Sequence, residues 1–322
     1  MKSLKKIELH LHLEGAAPPG FIRALAAEKH RDIGGIFDEC GAYAWRDFKD
    51  FLRVYEAAAS VLATPRDYAR LLSEVLAQCA DQGAIYAELF VSPEFCGGAD
   101  LPAWRDYLAA MEEAAAQAER DGIASRAVLT CIRHFGPERA RKTAICAAET
   151  SGGWVAGLGI AGAEDVGELA DFAWAFDCAR EAGLGLTAHA GEWRGPQSIR
   201  AALALGVTRI GHGIRAVEDA ALLRDLAERG ITLELCPGSN VALGLVRDWA
   251  AHPIARLADA GVRVTVSTDD PPFFHTTLSQ EYQRLADAFG WAEAEFRQMN
   301  LWAVDAAFCD PTTRTRLRKE LT

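Results

Sequence analysis

The sequence predicts an α/β fold, a (β/α)8 TIM barrel with extra helices at the mouth after strand 1 and at the C-terminus. Short apolar segments alternate with helical segments along most of the chain, and a glycine ends most of the helical segments. Eight such apolar segments can be distinguished, and nearly continuous apolar strands are typical of parallel sheets with helices on both faces. An open doubly wound sheet is the alternative, but it usually has fewer strands and a glycine-rich phosphate-binding turn after the first.

The predicted elements follow one another in a regular order. The strands are predicted at 6–13, 85–93, 125–133, 154–162, 184–190, 209–213, 231–236 and 262–267. The helices are predicted at about 20–29, 45–62, 64–82, 103–121, 137–150, 165–182, 196–205, 217–229, 252–260, 278–289 and 292–308. Because segment 20–82 is longer than one crossover helix, we expect an insertion near the barrel mouth. No stretch rich in Ser, Pro or charge divides the chain, so residues 1–322 are predicted to form a single domain.

The composition narrows the classes of function. The 34 basic and 45 acidic side chains give a formal net charge of −11, which disfavours binding to nucleic acid or to an anionic membrane. No segment is long and apolar enough to span a bilayer. The eight cysteines include no Cys-x-x-Cys pair and no secretion signal is recognisable, so we expect free thiols and a cytoplasmic location. A small neutral substrate is compatible with this composition.

The first predicted strand carries the most informative pattern. It alternates apolar and polar residues, and side chains two apart on a strand point to the same side. His10 and His12 therefore project together, and Glu14 follows at the end of the strand. Burying two imidazole rings side by side is costly without partners, so the pair indicates half of a metal site. For Glu14, a second interpretation is a cap of the following helix.

Further polar residues fall where other predicted strands end, and the C-terminal ends of barrel strands form the active-site face. Strand five is followed by His189 and Glu192, strand six ends at His212, and strand eight is followed by Asp269 and Asp270. Taken alone, His212 fits a hydrogen-bonded core residue, and the paired aspartates fit a helix cap or a turn. Together with the histidines of strand one, they indicate a bound cation, which would offset the repulsion between adjacent carboxylates.

Three imidazoles and one carboxylate are a ligand set that suits zinc. The candidate ligands are His10, His12, His189 and Asp269. A catalytic zinc ion lowers the pKa of water to about 7 and so provides hydroxide at neutral pH. His212 is placed to orient the water, to take its proton or to stabilise charge. Glu192 is placed to protonate a ring nitrogen or a leaving group.

The residues that are absent refine this interpretation. Binuclear barrel hydrolases commonly bridge their two metals with a carboxylated lysine at the end of strand four. Strand four here has no lysine, so we expect one metal ion. The cytidine-deaminase signature, His-x-Glu with Pro-Cys-x-x-Cys, is also absent. The remaining histidines are predicted in helices or loops, and only the last of them is expected to line the mouth: His30, His134, His252 and His275.

Taken together, these motifs resemble those of the adenosine/adenine/AMP deaminase family of metal-dependent hydrolases, and most closely the bacterial adenosine deaminases. They occur in the family's order and span nearly the whole chain. The motifs are His-Leu-His-Leu-Glu-Gly at 10–15, His-Ala-Gly-Glu at 189–192, Gly-His-Gly at 211–213, Cys-Pro-Gly-Ser-Asn at 236–240 and Ser-Thr-Asp-Asp-Pro at 267–271. The resemblance implies a hydrolytic deaminase with one Zn²⁺ ion per subunit.

The resemblance also implies a role for each matching residue. The implied zinc ligands are His10, His12, His189 and Asp269. The implied contacts with the reacting groups are Glu192 as the acid that protonates purine N1, His212 holding the attacking hydroxide, Asp270 contacting that hydroxide or N7, and the backbone N–H of Gly162 donating to N3. Attack of the hydroxide at C6 then expels ammonia and converts a 6-aminopurine into a 6-oxopurine.

The expected partner is a small 6-aminopurine, and the resemblance favours adenosine or 2'-deoxyadenosine, converted to inosine or its deoxy form. Adenine is the alternative, as is a larger 6-amino nucleoside such as aminofutalosine. AMP is less expected, because Arg194 is the only basic residue evident at the mouth. An alternative of another class is a non-catalytic nucleoside-binding relative, which would be expected to lack a ligand or the acid.

Four further residues are expected to shape the substrate site. Glu14 stands where adenosine deaminases often have an aspartate that contacts the ribose. Trp193 directly follows the implied acid and is expected to wall the pocket. Leu52 and Tyr55 belong to an apolar helical face that matches the family's hydrophobic gate helix.

Overall fold

Eight strands form one parallel sheet in chain order in the computed structural model, which describes residues 1–322. They are β1 (Lys6–His12), β2 (Ala84–Val91), β3 (Ala124–Ile132), β4 (Val155–Ala161), β5 (Gly185–Ala190), β6 (Arg209–His212), β7 (Thr232–Leu235) and β8 (Arg263–Val266). The backbone N–H of His12 donates to the carbonyl oxygen of Asp269 (3.1 Å), and that of Asp269 donates to His10 (3.0 Å). These two bonds join the first strand to the last, and the predicted (β/α)8 barrel is confirmed.

The α-helices follow the strands, as predicted, with ends displaced by a few residues. They are α1 (Pro19–Glu28), α2 (Phe48–Ala59), α3 (Pro65–Asp81), α4 (Leu101–Arg120), α5 (Pro137–Glu149), α6 (Ala173–Glu181), α7 (Pro196–Ala204), α8 (Ala220–Arg229), α9 (Pro237–Ala242), α10 (Ile254–Asp259), α11 (Leu278–Phe289), α12 (Glu293–Ala306) and α13 (Pro311–Leu321).

Three helices depart from the prediction. The helix predicted at 165–182 begins only at Ala173, because the chain before it forms a loop and a short 3-10 turn at Leu169–Phe172. Helix α9 was not predicted, since Pro-Gly-Ser-Asn is a composition typical of turns, although proline is favoured at the first position of a helix. Helix α13 lies beyond the last predicted helix and also begins at a proline. The side chain of Asp310 caps it by accepting a hydrogen bond from the N–H of Thr313.

The insertion after β1 covers the barrel mouth. Helix α2 is capped by Asp47, the residue before it, whose side chain accepts a hydrogen bond from the N–H of Asp50. Its apolar face packs on residues that follow β8, where the ring of Phe51 lies 5.4 Å from those of Phe273 and Phe274. At the other end of the chain, α12 packs against β1 and β8, and α13 packs against α12.

A buried charged network fills part of the barrel interior below the mouth. Arg209 on β6 pairs with Glu88 on β2 (2.6 Å) and with Glu234 on β7 (2.5 Å), and none of the three side chains is exposed. Glu234 also contacts β1, as described below, so the network ties the interior to the mouth. All eight cysteines are free thiols, as predicted. No helix has the length and apolar character needed to cross a membrane.

Candidate active site

Four predicted metal ligands meet at the C-terminal ends of three strands. His10 and His12 point inward from β1, His189 from β5, and Asp269 follows β8. Nε2 of His189 lies 3.0 Å from Nε2 of His10 and 3.1 Å from Nε2 of His12. Oδ1 of Asp269 lies 3.5 Å and 3.3 Å from the same two nitrogens. One atom from each of the four residues therefore converges on a single buried point.

The chemistry of these groups fits a divalent cation. Nδ1 of His10 lies 2.8 Å from Oε2 of Glu234 and donates its proton there, which leaves Nε2 as the nitrogen that a metal ion can bind. Glu234 is itself held by Arg209 and by the hydroxyl of Thr187 (3.1 Å). An imidazole ligand whose other nitrogen donates to a carboxylate is the usual arrangement in metal sites. Lone pairs of three imidazoles facing one another at such distances repel, and a bound metal ion removes that repulsion.

Two residues of the site adopt a left-handed backbone. His212 has φ of +61° and Asp269 has φ of +64°, a region that non-glycine residues enter at a cost of about 1 to 3 kcal/mol and that is common at functional sites. Gly15 permits a further close approach, because a Cβ atom there would lie 1.6 Å from Oδ1 of Asp270. The backbone after β1, β6 and β8 is thus shaped to aim side chains into the mouth.

The two predicted acidic groups of the site are buried beside the ligands. Burial raises the pKa of Glu192 well above its ordinary value, and the carboxylates of Asp269 and Glu164 raise it further. Burial also raises the pKa of Asp270, with Asp269 as the next cause. Burial lowers the pKa of His212 to about 3, so its ring is neutral. The site therefore combines two carboxyl groups of raised pKa with a neutral imidazole.

Glu164 is a site residue that the sequence analysis did not single out. Its carboxylate accepts four hydrogen bonds of 2.7–3.1 Å from consecutive backbone N–H groups, which belong to Gly191, Glu192, Trp193 and Arg194. It also accepts the hydroxyl of Ser198 at 2.5 Å. These bonds hold the loop that carries Glu192 against the segment that follows β4. The available signal was a lone glutamate two residues after the glycine that ends strand four.

The cavity above the cluster is mostly apolar. It contains about 610 Å³ of space free of protein atoms, part of which is open to solvent. Leu52, Tyr55 and Gly162 line it, as predicted, together with Glu192, His212 and Asp270. The rest of the wall is dominated by Phe48, Phe51, Phe95, Ile132, Leu243 and Phe274. No lysine or arginine side chain is among the lining residues.

Glu14 and Trp193 lie outside the lining of this cavity. The Glu14 carboxylate accepts the hydroxyl of Tyr68 (3.1 Å) and the hydroxyl of Tyr55 (3.5 Å), and Tyr55 is itself a residue that lines the cavity. Glu14 does not cap the following helix, since Pro18 is the residue at the cap position of α1 and no side chain caps that helix. Trp193 packs behind the cavity wall, with its ring 4.8 Å from that of Phe48.

The placement of the other histidines corrects two expectations. His134, expected to have no role in the site, lines the cavity, and its Nε2 lies 3.2 Å from Oε1 of Glu56 on α2. The pair lies beside Gly162, where a Cβ atom would be 2.7 Å from Nδ1 of His134. His275, expected at the mouth, does not line the cavity. The short 3-10 turn that places His134 directly after β3 is not encoded by any period of apolar residues.

The fold and the site together define a metal-dependent hydrolase barrel. Residues 5–322 match the sequence profile described as adenosine deaminase. The chain therefore belongs to the adenosine deaminase family, and it is a hydrolytic deaminase that acts on C–N bonds.

Individual relatives refine the comparison. The chain is 48% identical over 320 residues to the adenine deaminase of Rhizobium leguminosarum bv. trifolii, covering 99% of each chain. Among solved structures, it resembles the adenine deaminase of Arthrobacter aurescens with a TM-score of 0.90 and 28% identity, covering 99% of this chain and 98% of that one. It also resembles an amidohydrolase from Burkholderia ambifaria with bound Zn, with a TM-score of 0.87 and 28% identity, covering 99% and 90%. Two of these three relatives are named adenine deaminase.

Proposed function

We propose that this protein hydrolyses adenine to hypoxanthine and ammonia. The observation that carries the proposal is the position of Glu14. The resemblance gives this residue the contact with a ribose hydroxyl, yet its carboxylate is buried beneath Tyr55 and does not line the cavity. A free base needs no such contact. Two relatives named adenine deaminase support the same substrate.

The charges of the cavity also favour a neutral base over a nucleotide. A phosphate group needs cationic or backbone N–H partners, and the lining has no lysine or arginine. Its charged side chains are instead acidic: Glu56, Glu192, Asp269 and Asp270. The apolar cover formed by α2 provides a flat, water-excluding contact for a purine ring. These features disfavour AMP, and they provide little polar surface for the sugar of adenosine or of aminofutalosine.

The proposed metal is zinc, one ion per subunit. His10, His12, His189 and Asp269 would hold it, and it would supply a hydroxide nucleophile near neutral pH. The zinc-containing relative supports this choice. In the proposed arrangement His12 and His189 are neutral, because burial lowers the pKa of both rings, and neutral imidazole is the form that binds a metal.

The remaining groups of the site have separate tasks in the proposed reaction. Glu192 donates its proton to N1, which makes C6 more electrophilic. The backbone N–H of Gly162 points its free donor at N3, since no hydrogen bond within the protein uses it. Asp270 lines the cavity and its Oδ1 has no hydrogen-bond partner within the protein, so its carboxyl group is available to contact the hydroxide or N7. Water adds at C6, the C6–N bond breaks, and the amine leaves as ammonia.

The test is ammonia release by the zinc-loaded protein with adenine, adenosine and AMP at matched concentrations. We expect kcat/KM for adenine to exceed that for adenosine by at least about tenfold, a difference of about 1.4 kcal/mol. A preference for adenosine would overturn the proposed substrate and leave the deaminase chemistry intact.

A paired substitution tests why the base is preferred. Tyr55→Ala removes the side chain that covers Glu14, so we expect the ratio of adenosine to adenine turnover to rise. Leu52→Ala is the matched control, because Leu52 lies on the same helix and lines the cavity but makes no hydrogen bond to Glu14. Equal ratios in the two variants would contradict the screening role of Tyr55.

A further inference from the structure

A chain of hydrogen bonds leads from a backbone amide to the ring of His212. The backbone N–H of Ile254 donates to Nδ1 of His252 at 3.2 Å. Nε2 of His252 lies 3.2 Å from Oδ1 of Asn240. Nδ2 of Asn240 lies 3.3 Å from Nδ1 of His212. The three side chains are buried, so water does not compete for these bonds.

The direction of each bond in the chain follows from its first donor. A backbone N–H can only donate, so Nδ1 of His252 is an acceptor and the proton of that ring is on Nε2. This Nε2–H donates to the carbonyl oxygen of Asn240, which turns the amide NH₂ of Asn240 towards His212. His212 therefore accepts on Nδ1, and the proton of its neutral ring is on Nε2.

We propose that Asn240 and His252 are positioning residues that hold His212 as the Nε2–H tautomer. Nε2 is the ring atom of His212 that faces the site, 3.8 Å from Oε2 of Glu192 and 4.0 Å from Oδ2 of Asp269. A ring nitrogen that already carries a proton donates a hydrogen bond. It is not free to take a proton from the attacking water.

This tautomer selects among the three roles that the sequence leaves open for His212. Orienting the water and stabilising negative charge both need a donor, and both are retained. Taking the proton of the water is excluded. The proton of the water then has to leave to a group other than His212. The kinetic consequence rests on the proposed function, whereas the tautomer itself does not.

The direct test is ¹⁵N NMR of the histidine rings in the zinc-loaded protein, with His212 assigned by its loss in a variant. We expect a protonated Nε2 and an unprotonated Nδ1 for both His212 and His252. In His252→Leu the amide of Asn240 loses its fixed donor, so the Nδ1–H tautomer of His212 becomes populated. His252→Gln keeps an N–H that can reach Oδ1 of Asn240, and it is expected to restore the wild-type pattern.

Two outcomes of this experiment would overturn the proposal. The first is a protonated Nδ1 on His212 in the wild-type protein. This measurement does not depend on whether any variant folds. The second is an unchanged His212 spectrum in a folded His252→Leu protein. His30→Leu is the matched control, since His30 is exposed on the loop after α1 and is expected to leave the His212 signals unchanged.

Kinetics give a second and independent readout. Removing one donor to developing charge typically lowers kcat by about 100-fold or more, so we expect His252→Leu to lower kcat towards that limit with KM little changed. His252→Gln is expected to recover most of the loss. Recovery of kcat in His252→Gln would contradict a merely structural role of His252. Equal losses of kcat in His252→Leu and His252→Gln would overturn its positioning role. Absence of deamination in the wild-type protein would count against the proposed function and leave the NMR result standing.

Discussion

Glu164 fixes the backbone of Glu192, whose N–H donates to Oε2 of Glu164 at 3.1 Å. The same carboxylate accepts the N–H groups on either side, so the loop after β5 is tied to the loop after β4. Both carboxylates are buried. The residue proposed to protonate the substrate is therefore aimed by a neighbouring loop and not by its own strand alone.

The first prediction concerns this anchor. Glu164→Gln replaces one acceptor oxygen with an NH₂ group that faces backbone N–H donors, and leaving such donors unpaired costs about 1–3 kcal/mol. We expect a lower melting temperature and a lower kcat, with metal content unchanged. Glu168→Gln is the control, because Glu168 is exposed and pairs only with Arg194 and its own turn. Equal effects of the two substitutions would argue against the anchoring role.

The second prediction concerns the acid itself. Glu192 must be protonated to donate to N1, and burial raises its pKa well above the ordinary carboxyl value. We therefore expect kcat/KM to fall as pH rises through that raised pKa, because the ionised form cannot donate. Glu192→Gln is expected to lower kcat by about 10²–10⁴-fold and to remove this limb of the pH profile. If kcat/KM of the Glu192→Gln variant still fell at high pH in the same way, the fall would belong to the titration of another group.

The sequence was sufficient for the barrel and for the converging groups at its mouth. His10 and His12 could be paired because strand periodicity is two, and His189 and Asp269 could be added because all parallel strands end at one face. The strands and helices, and their order, follow from the spacing of apolar residues along the sequence. The same reasoning left the substrate open, since whether Glu14 reaches the cavity depends on how Tyr55 from a separate helix packs over it.

The third prediction concerns the metal. Chelation is expected to abolish deamination and to lower the melting temperature, because Nε2 of His189 lies 3.0 Å and 3.1 Å from Nε2 of His10 and His12, and a metal ion would hold these close nitrogens together. Zinc at about 1,000 times its Kd would add about 4 kcal/mol of stability. His12→Ala is expected to lose bound metal, whereas His275→Ala, outside the cluster, is expected to retain it. Full metal content in the His12 variant would refute its assignment as a ligand.

Residues that act through long-range hydrogen bonds escaped the sequence analysis. Glu164 and His134 both follow a strand, but neither stands in an apolar period or in one of the motifs that the resemblance is based on. Their partners lie 28 and 78 residues away along the chain, in Glu192 and Glu56. Such contacts are set by how loops of different strands meet over the barrel, which no local pattern of residues encodes.

The fourth prediction concerns stability and a carboxyl group beneath the site. Glu281 on α11 is fully buried, where it accepts the hydroxyl of Thr276 (2.5 Å) and the N–H of Gly238 at the start of α9 (2.9 Å). Burial raises its pKa to about 8. Folding thus favours the protonated form, and the sign of the pH dependence follows from this. The contribution of protonated Glu281 to the free energy of unfolding is complete below the ordinary pKa that this group has in the unfolded chain. It is lost as pH rises towards about 8.

Glu281→Gln removes this titration. Between pH 5 and 8, one extra proton bound by the folded state gives the free energy of unfolding a slope of up to about 1.4 kcal/mol per pH unit. Because the variant lacks this proton, its free energy of unfolding should fall less steeply over that range. Denaturant unfolding at several pH values measures the difference. Glu293→Gln, an exposed glutamate at the start of α12, serves as the matched control and is expected to follow the wild-type slope. Parallel curves for wild type and Glu281→Gln would show that Glu281 ionises alike in the folded and unfolded states, which would contradict the raised pKa.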